Sequence, residues 1–564
     1  LFGATCLLIA LSALAQSPPL ATIPGLRAAN RDVSRPDTLV VCAPAFTQTM
    51  ERWVAYRQGQ GHQVVVRSDC ETAAEVRAAV RQVAAAGTLK HVLLVGDVQD
   101  APDETSKHLP TYLARAEVNI AWGSESELAT DNWFADVDDD VIPDVAIGRW
   151  PVDTSLQLSM LIEKTIAYEQ QASHGIWRRR VNLVAGVGGF GVLADAVLET
   201  ATRSFIQQGI PESYRTSMTY ASWRSPYCPD PRRFRSEVIQ RMNEGCLCWV
   251  YIGHGQRTEL DWVRVPIGVA PIFESADVQR LKCTQGPPIA VFLSCYGAAF
   301  DGAEDCLSEQ MLMHATGPVA VIGGSRMTMP YGMAVLSQSL MHEMFERRPE
   351  TLGEVLLAAK KQAMAGAEDG VQRPLLDTLA RVMTPGSTNL EAERREHVLM
   401  FHLLGDPLLR LTHPRSVQLQ VPQRVKAGES LTVQWQSELA GRCVLELACR
   451  RGQLPFRPEP RLHFDGSDAG MQMLSQVYRQ ANDDTFARRQ FVMDQTTGEA
   501  LLPVPEHVRG ACAVRLYLES DQGHAIAAAT VFVTHGDEAR AVGAEGAEES
   551  QDEVLLEEAA LPRE

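Results

Sequence analysis

After its first fifteen residues the chain contains no run of eighteen apolar residues, which excludes a conventional membrane-spanning helix from the rest of the sequence. Positive charge is also short. There are 52 Lys and Arg against 70 Asp and Glu, a formal net charge of −18. A balance of that sign argues against a nucleic-acid backbone as the main partner. Part of the deficit is local, because residues 536–564 hold ten Asp or Glu against two Arg. Nucleotide-binding glycine patterns are missing as well. Gly186, Gly188, Gly189 and Gly191 match neither the dinucleotide fingerprint nor the P-loop and read as a turn. Cys246 and Cys248 on one strand lack a zinc-knuckle spacing and read as core or disulfide cysteines.

Apolar residues make up 45% of the chain and charged residues 22%, as in an ordinary soluble protein. A length of 564 residues implies roughly three or four structural units. Residues 1–15 are almost wholly apolar and close on Ala13-Leu14-Ala15, a small-x-small cleavage pattern followed by Pro18-Pro19. This is the h-region of a signal peptide that lacks its basic n-region, so an exported protein, secreted or at the cell surface, is expected. Residues 16–37 then form a leader or linker. Of twelve cysteines, eleven follow the signal segment. That odd number allows some disulfides in an oxidising compartment and leaves at least one thiol unpaired, with Cys295 the candidate.

From Thr38 the pattern alternates between buried strands and amphipathic helices. Leu39-Val-Val-Cys-Ala, Gln63-Val-Val-Val and His91-Val-Leu-Leu-Val-Gly-Asp97 are continuous apolar runs, with helices over 47–59 and 71–86 between them. Such runs imply a parallel sheet covered on both faces. Residues 102–144 read as irregular and acidic, leading into Val145-Ala-Ile-Gly148-Arg149 and a helix over 153–171. Trp177-Arg-Arg-Arg marks a junction, after which a second α/β series begins at Val181. Its closing helices are placed at 332–346, 352–365 and 390–403, ahead of Gly405-Asp406-Pro407. The fold expected is α/β, with two fused doubly wound units over 38–176 and 177–412.

After Pro414 the period changes to two, as in Ser430-Leu-Thr-Val-Gln-Trp and Ala513-Val-Arg-Leu-Tyr-Leu. An antiparallel, Ig-like β-sandwich is expected over 415–535, interrupted by a long polar insertion at 458–496. Cys443, Cys449 and Cys512 lie within it, and one pair is a candidate bridge. Residues 536–564 form an acidic tail whose composition suits disorder.

Two strands of the second series end on reactive side chains. Trp249-Val-Tyr-Ile-Gly253 runs into His254-Gly255, and Ile289-Ala-Val-Phe-Leu-Ser runs into Cys295-Tyr-Gly297. Cysteine catalysis needs a thiolate, an imidazole to move its proton and donors for an oxyanion. The N–H groups of Gly255 and Cys295 are suited to the last role. Spacing alone fits equally a core histidine and a buried cysteine. Asp136-x-Asp138-x-Asp140 imitates the start of an EF-hand loop but has Val141 at the sixth position and Ile147 at the twelfth. These three oxygen donors suit a structural Ca²⁺ or a hydrated acidic loop.

Four segments in order resemble the gingipain family of cysteine peptidases, whose catalytic domains have a caspase-like fold. They are Asp144-Val-Ala-Ile-Gly-Arg149, Gly253-His254-Gly255 with Thr258-Glu259 and Trp262 after it, Val291-Phe-Leu-Ser-Cys295-Tyr-Gly297, and Phe401-His-Leu-Leu-Gly-Asp-Pro. The resemblance spans about residues 38–411. It implies an endopeptidase acting on proteins or peptides, with Cys295 as nucleophile, His254 as base and no cofactor for catalysis. In the family's Arg-cleaving members a glutamate orients the histidine, and Val187 stands in that register here. An acid that binds a basic P1 side chain falls on Asp195, with Glu199 four residues on. Asp195 and Trp262 are thus the expected pocket residues, and Asp195 fits a solvated helix start equally. A fold retained for binding alone, or a thiol transpeptidase with the same dyad, are the rival readings.

Overall fold

The computed structural model describes residues 35–98, 106–171, 175–188, 209–365, 373–383 and 389–535. The expected signal segment, most of the expected leader, Asp195, Glu199 and the acidic tail lie outside the described residues.

The first series follows the expected order: β1 (Thr38–Cys42), helix Thr47–Gly59, β2 (Val64–Arg67), helix Ala73–Ala84 and β3 (His91–Val95). Thr72 and Glu75 cap the second helix reciprocally, which fixes where it starts. Residues 102–144, expected to be irregular, contain an antiparallel pair, β4 (Tyr112–Arg115) and β5 (Glu127–Thr130), and a short helical turn at Asn132–Ala135. β6 (Ala146–Trp150) and helix Ser155–Gln170 complete this half.

The second half adds β7 (Arg180–Ala185), β8 (Arg215–Tyr220), β9 (Cys248–Ile252), the hairpin of β10 (Trp262–Val265) and β11 (Gly268–Pro271), β12 (Ile289–Leu293) and β13 (Ala320–Gly324). Helices Pro330–His342, Leu352–Met364, Arg373–Met383 and Leu390–Met400 follow. The expected helix over 390–403 ends at Met400. Residues Phe401–Leu404 form β14 instead, all four of them buried.

β14 joins the two halves. The described residues form a ten-stranded sheet of order β2-β1-β3-β6-β14-β13-β12-β9-β7-β8. β14 is parallel to β6 and antiparallel to β13. The two parallel half-sheets therefore run in opposite senses and fuse along β14 into one sheet. Two large cores cover its faces. One contains Trp53, Trp150, Trp249 and Phe292, and the other Val250, Val291, Ile322 and Leu336.

The C-terminal region is β-rich: β15 (Arg415–Gln420), β16 (Arg424–Lys426), β17 (Ser430–Ser437), β18 (Gly441–Cys449), β19 (Thr485–Met493), β20 (Thr497–Pro503), β21 (Gly510–Ser520) and β22 (Gly523–Thr534). β15 begins parallel to β22 and continues antiparallel to β17, so it passes from one layer to the other. Leu431, Val433, Leu445, Leu447, Val514 and Leu516 fill the core between them.

The stretch expected to be a polar insertion, 458–496, contains a helix, Asp468–Ala481, and the strand β19. It docks on the α/β sheet. Asn482 accepts from the Met218 N–H at 2.7 Å and donates to the Met218 carbonyl at 3.0 Å, which pairs backbone of the edge strand β8. The junction Arg179 is clamped by Glu446 of β18 through two bonds of 2.9 and 3.0 Å, with both side chains fully buried.

Candidate active site

β9 and β12 are adjacent and parallel, with Ile252 opposite Leu293. His254 and Cys295 therefore leave the sheet from neighbouring strand ends. Gly253, at φ 153°, makes the exit after β9. A Cβ there would lie 2.8 Å from the Tyr251 hydroxyl, so a side chain has no room. The next glycine brings the two turns together. A Cβ on Gly255 would sit 2.7 Å from the Cys295 carbonyl oxygen and 2.8 Å from Ser294 Oγ. Only glycine permits this approach of the histidine turn to the cysteine turn.

The histidine turn is tied from below. The Tyr251 hydroxyl donates to the His254 carbonyl at 2.6 Å and accepts from the Asp261 N–H at 3.2 Å. Burial pushes this phenol far above its usual range, so it stays protonated and available as a donor.

The cysteine turn is held by charge. Tyr296 has φ +54°, uncommon for a side chain of that size. Its N–H donates to the Arg326 carbonyl at 3.0 Å and its hydroxyl to Glu125 at 3.0 Å. Burial and the neighbouring Glu125 carboxylate push the Tyr296 hydroxyl up to about 12. Arg326 in turn grips Asp301, and Arg257 donates to the Ala299 carbonyl at 3.0 Å.

Cys295 differs from the other described cysteines. All eleven are free thiols, and ten are buried while Cys295 is half-buried. The disulfides allowed for by the sequence are not formed among them. Cys449 and Cys512 stand opposite each other in register, unbridged. Cys246 and Cys248 contribute to different cores. Burial pushes Cys248 and Cys283 up to about 12, which leaves them inert.

Thr328, which sequence reasoning missed, approaches the Cys295 sulfur. Its backbone N–H donates to Sγ at 3.3 Å, and its Oγ1 and carbonyl lie at 3.7 and 3.8 Å. The contact spans 33 residues, and nothing in the local sequence marks it.

The remaining candidates are placed as follows. Trp262 begins β10 and is half-buried, with its N–H on Asp261 Oδ1 at 2.7 Å. Asp195 lies outside the described residues. Val187 packs partly buried against a large core. Asp136 and Asp138 do converge, but their companion is Asp144 and not Asp140. Asp140 Oδ1 accepts from the Ile142 N–H at 2.7 Å. Val141 adopts φ +79° at the position where an EF-hand uses glycine.

An α/β sheet of this order, with a half-buried thiol and an imidazole on abutting strand ends, has the architecture of a cysteine peptidase. The match to known families agrees. The model of Peptidase family C25 matches residues 31–412, and the chain belongs to that family. No curated protein matches the chain. Among solved structures it is similar to the Arg-specific cysteine proteinase gingipain R (RGPB), at 16% identity and a TM-score of 0.51, covering 89% of this chain and 98% of that one. It is also similar to a structure described as a protease, at 15% identity and TM-score 0.50, covering 88% and 97%. The complex of Porphyromonas gingivalis RgpB pro- and mature domains matches at 16% identity and TM-score 0.48, covering 88% and 100%. At such identities the likeness is one of fold, a gingipain-like, caspase-like α/β catalytic region with a β-rich C-terminal region. No helix among the described residues is long and apolar enough to cross a membrane.

Proposed function

We propose that the protein is an exported cysteine endopeptidase in which Cys295 attacks the scissile carbonyl and His254 takes up and returns the proton. The observation that supports this reading is the close approach of Gly255 to the Cys295 backbone, which brings the histidine turn against the cysteine turn. The thiolate, formed as His254 takes the Cys295 proton, adds to the carbonyl carbon and the π electrons move to oxygen, with the Thr328 N–H within reach of the sulfur. The N–H groups of Gly255 and Cys295 receive that oxyanion. The protonated imidazole then donates to the leaving amine as the C–N bond breaks. Water, deprotonated by His254, hydrolyses the thioester and restores the thiol.

Proteins or peptides are the substrates, and Asp195 and Trp262 are the residues proposed to select a basic P1 side chain. Catalysis needs no cofactor, and a structural Ca²⁺ on Asp136 and Asp138 belongs to the same proposal. Residues 1–15 direct export, and the C-terminal strands form an Ig-like accessory module supported by their two packed layers.

The test is cleavage of a positional peptide library by the full chain and by Cys295→Ala. We expect cleavage by the first and none by the second. Cleavage surviving in the variant would remove Cys295 as nucleophile. Absence of turnover by both, with and without Ca²⁺, would favour a fold retained for binding. Transfer of the acyl group to an added amine in preference to water would favour a transpeptidase.

A further inference from the structure

The arginines of the Trp177-Arg-Arg-Arg junction are met in three different ways. Arg179 is held by Glu446, and Arg180 Nη1 donates to the Glu244 carbonyl at 3.0 Å. Arg178 has no polar partner. It is only 2% exposed, and its Nε, Nη1 and Nη2 are all buried without a hydrogen bond. Among the described residues it forms no ion pair either.

What surrounds this guanidinium is aromatic. Its central carbon lies 4.4 Å from the centre of the Trp177 ring and 5.8 Å from that of Tyr168, on helix Ser155–Gln170. The two rings are themselves 5.8 Å apart. Each carries a donor that is stranded too: Trp177 Nε1 and the Tyr168 hydroxyl are buried and unpartnered. Burial pushes the Tyr168 hydroxyl up to about 12, so it keeps its proton. Gly286 seats the indole, since a Cβ there would lie 2.5 Å from Trp177 Cδ2.

Three donor-bearing side chains therefore gather in one buried place. A guanidinium cannot shed its proton, and stacking on rings leaves its in-plane N–H groups unused. A buried charge with neither counter-ion nor hydrogen bonds is costly. The carboxylates at hand are taken. Glu169, next to Tyr168, is bound to Arg57 at 2.9 Å, and Glu446 is bound to Arg179 and Arg488, each at 2.9 Å.

We propose that Arg178, Trp177 and Tyr168 form a buried site for a small monovalent anion, chloride. Its single charge balances the one unmatched guanidinium, and a sphere accepts from donors at any angle. Chloride is also weakly hydrated, so it is stripped of water at less cost than sulfate or phosphate. The three side chains are 2%, 4% and 2% exposed, which leaves no mouth for an organic ligand. The same core takes Tyr517 and Ile526 of the C-terminal strands, so the ion steadies the joint between the α/β sheet and the β-rich region. The site precedes the start of β7, whereas His254 and Cys295 follow the C-terminal ends of β9 and β12, which run parallel to it. It does not depend on the peptidase reading, because its readouts are stability and ion binding.

The experiment is thermal unfolding of the full chain, dialysed free of halide and titrated with sodium chloride against sodium gluconate at constant ionic strength. The parent, Arg178→Met and Tyr168→Phe are compared. We expect a saturable rise of a few degrees in the parent and none in Arg178→Met. Tyr168→Phe should keep the rise but need severalfold more chloride to reach it. Absence of a chloride-dependent rise in the parent, or an equal rise in Arg178→Met, would overturn the site. A rise with sulfate and none with chloride would overturn the assignment to chloride. Should Arg178→Met fail to fold, crystals of the parent grown in bromide decide. An anomalous peak within hydrogen-bond reach of the Arg178 nitrogens is expected, and ordered water there without such a peak would overturn the proposal.

Discussion

Substituting Gly255 by Ala tests the catalytic geometry most directly. Gly255 does not need a left-handed backbone, so the substitution acts through space alone. The added Cβ would lie 2.7 Å from the Cys295 carbonyl oxygen and 2.8 Å from Ser294 Oγ, where ordinary contacts begin at 3.4 Å. Relief requires the histidine and cysteine turns to part by roughly 0.7 Å, taking the difference as the displacement. A misplacement of about 1 Å costs about a hundredfold in rate, so kcat/KM should fall by roughly 10- to 100-fold. Overpacking of this kind costs about 1–3 kcal/mol in stability, which a protein of this size survives. The assay pairs kcat/KM on a cleaved library peptide with urea unfolding and with the iodoacetamide alkylation rate of Cys295. Gly59→Ala is the control, because a Cβ there meets nothing within 4 Å. A Gly255→Ala enzyme that keeps kcat/KM within about twofold of the parent would refute the reasoning, since a shift of that size in a near-attack geometry cannot be silent.

Other outcomes follow from buried charge. Burial alone would raise the Glu446 carboxyl, but the guanidiniums of Arg179, Arg515 and Arg488 outweigh it and hold it at about 2. A carboxyl depressed on folding contributes stability above its unfolded value and loses it as pH falls. That contribution should be complete above about pH 4.5 and vanish towards pH 2. It amounts to on the order of 3 kcal/mol, and Glu446→Gln should flatten the acid limb of urea midpoint against pH. An unchanged limb would remove the claim. Asp406, in the Gly-Asp-Pro segment, binds Arg57 and Trp53 Nε1, both at 2.6 Å, with Arg57 fully buried. Asp406→Ala strands that guanidinium and should cost about 3–5 kcal/mol in chemical denaturation; a loss under about 1 kcal/mol would show that Glu169 alone suffices for Arg57.

Much of the fold was legible because buried parallel strands read as unbroken apolar runs. Leu39–Cys42, Val92–Val95 and Ile289–Leu293 are such runs, and each is a strand. β14 was not legible. Its four residues follow a helix without glycine or proline between, and the gap between β6 and β13 decides their conformation. The helix at Asp468–Ala481 had left a signal: Met471, Leu474 and Tyr478 are spaced by three and four residues and are the positions it buries. It was obscured by the alternating strands on either side. His254 and Cys295 stood out because chemistry-bearing residues at strand ends next to glycine are a local pattern. Thr328 and Tyr251 depend on contacts between distant segments, which no local pattern encodes.

The resemblance sets Val187 in the register of a histidine-orienting glutamate, and the histidine turn is braced here by other groups. Asp261, which is buried, takes the Trp262 N–H and Arg264 on Oδ1, at 2.7 and 3.0 Å. Its Oδ2 is buried, has no hydrogen-bond partner, and lies 3.0 Å from where a Cβ on Gly186 would stand. Gly186 thus leaves room for a carboxylate one residue from Val187, and Tyr251 links the backbone of that same Asp261 to the His254 carbonyl. The side chain reaching this space comes from the turn after the histidine and not from the strand beside it. A valine at position 187 is then compatible with an ordered histidine turn, because the rigidity comes from Tyr251 and the three glycines Gly186, Gly253 and Gly255, which let the turns pack without intervening side chains. Gly253 and Gly255 are thus constrained by backbone approach, whatever group supports the imidazole.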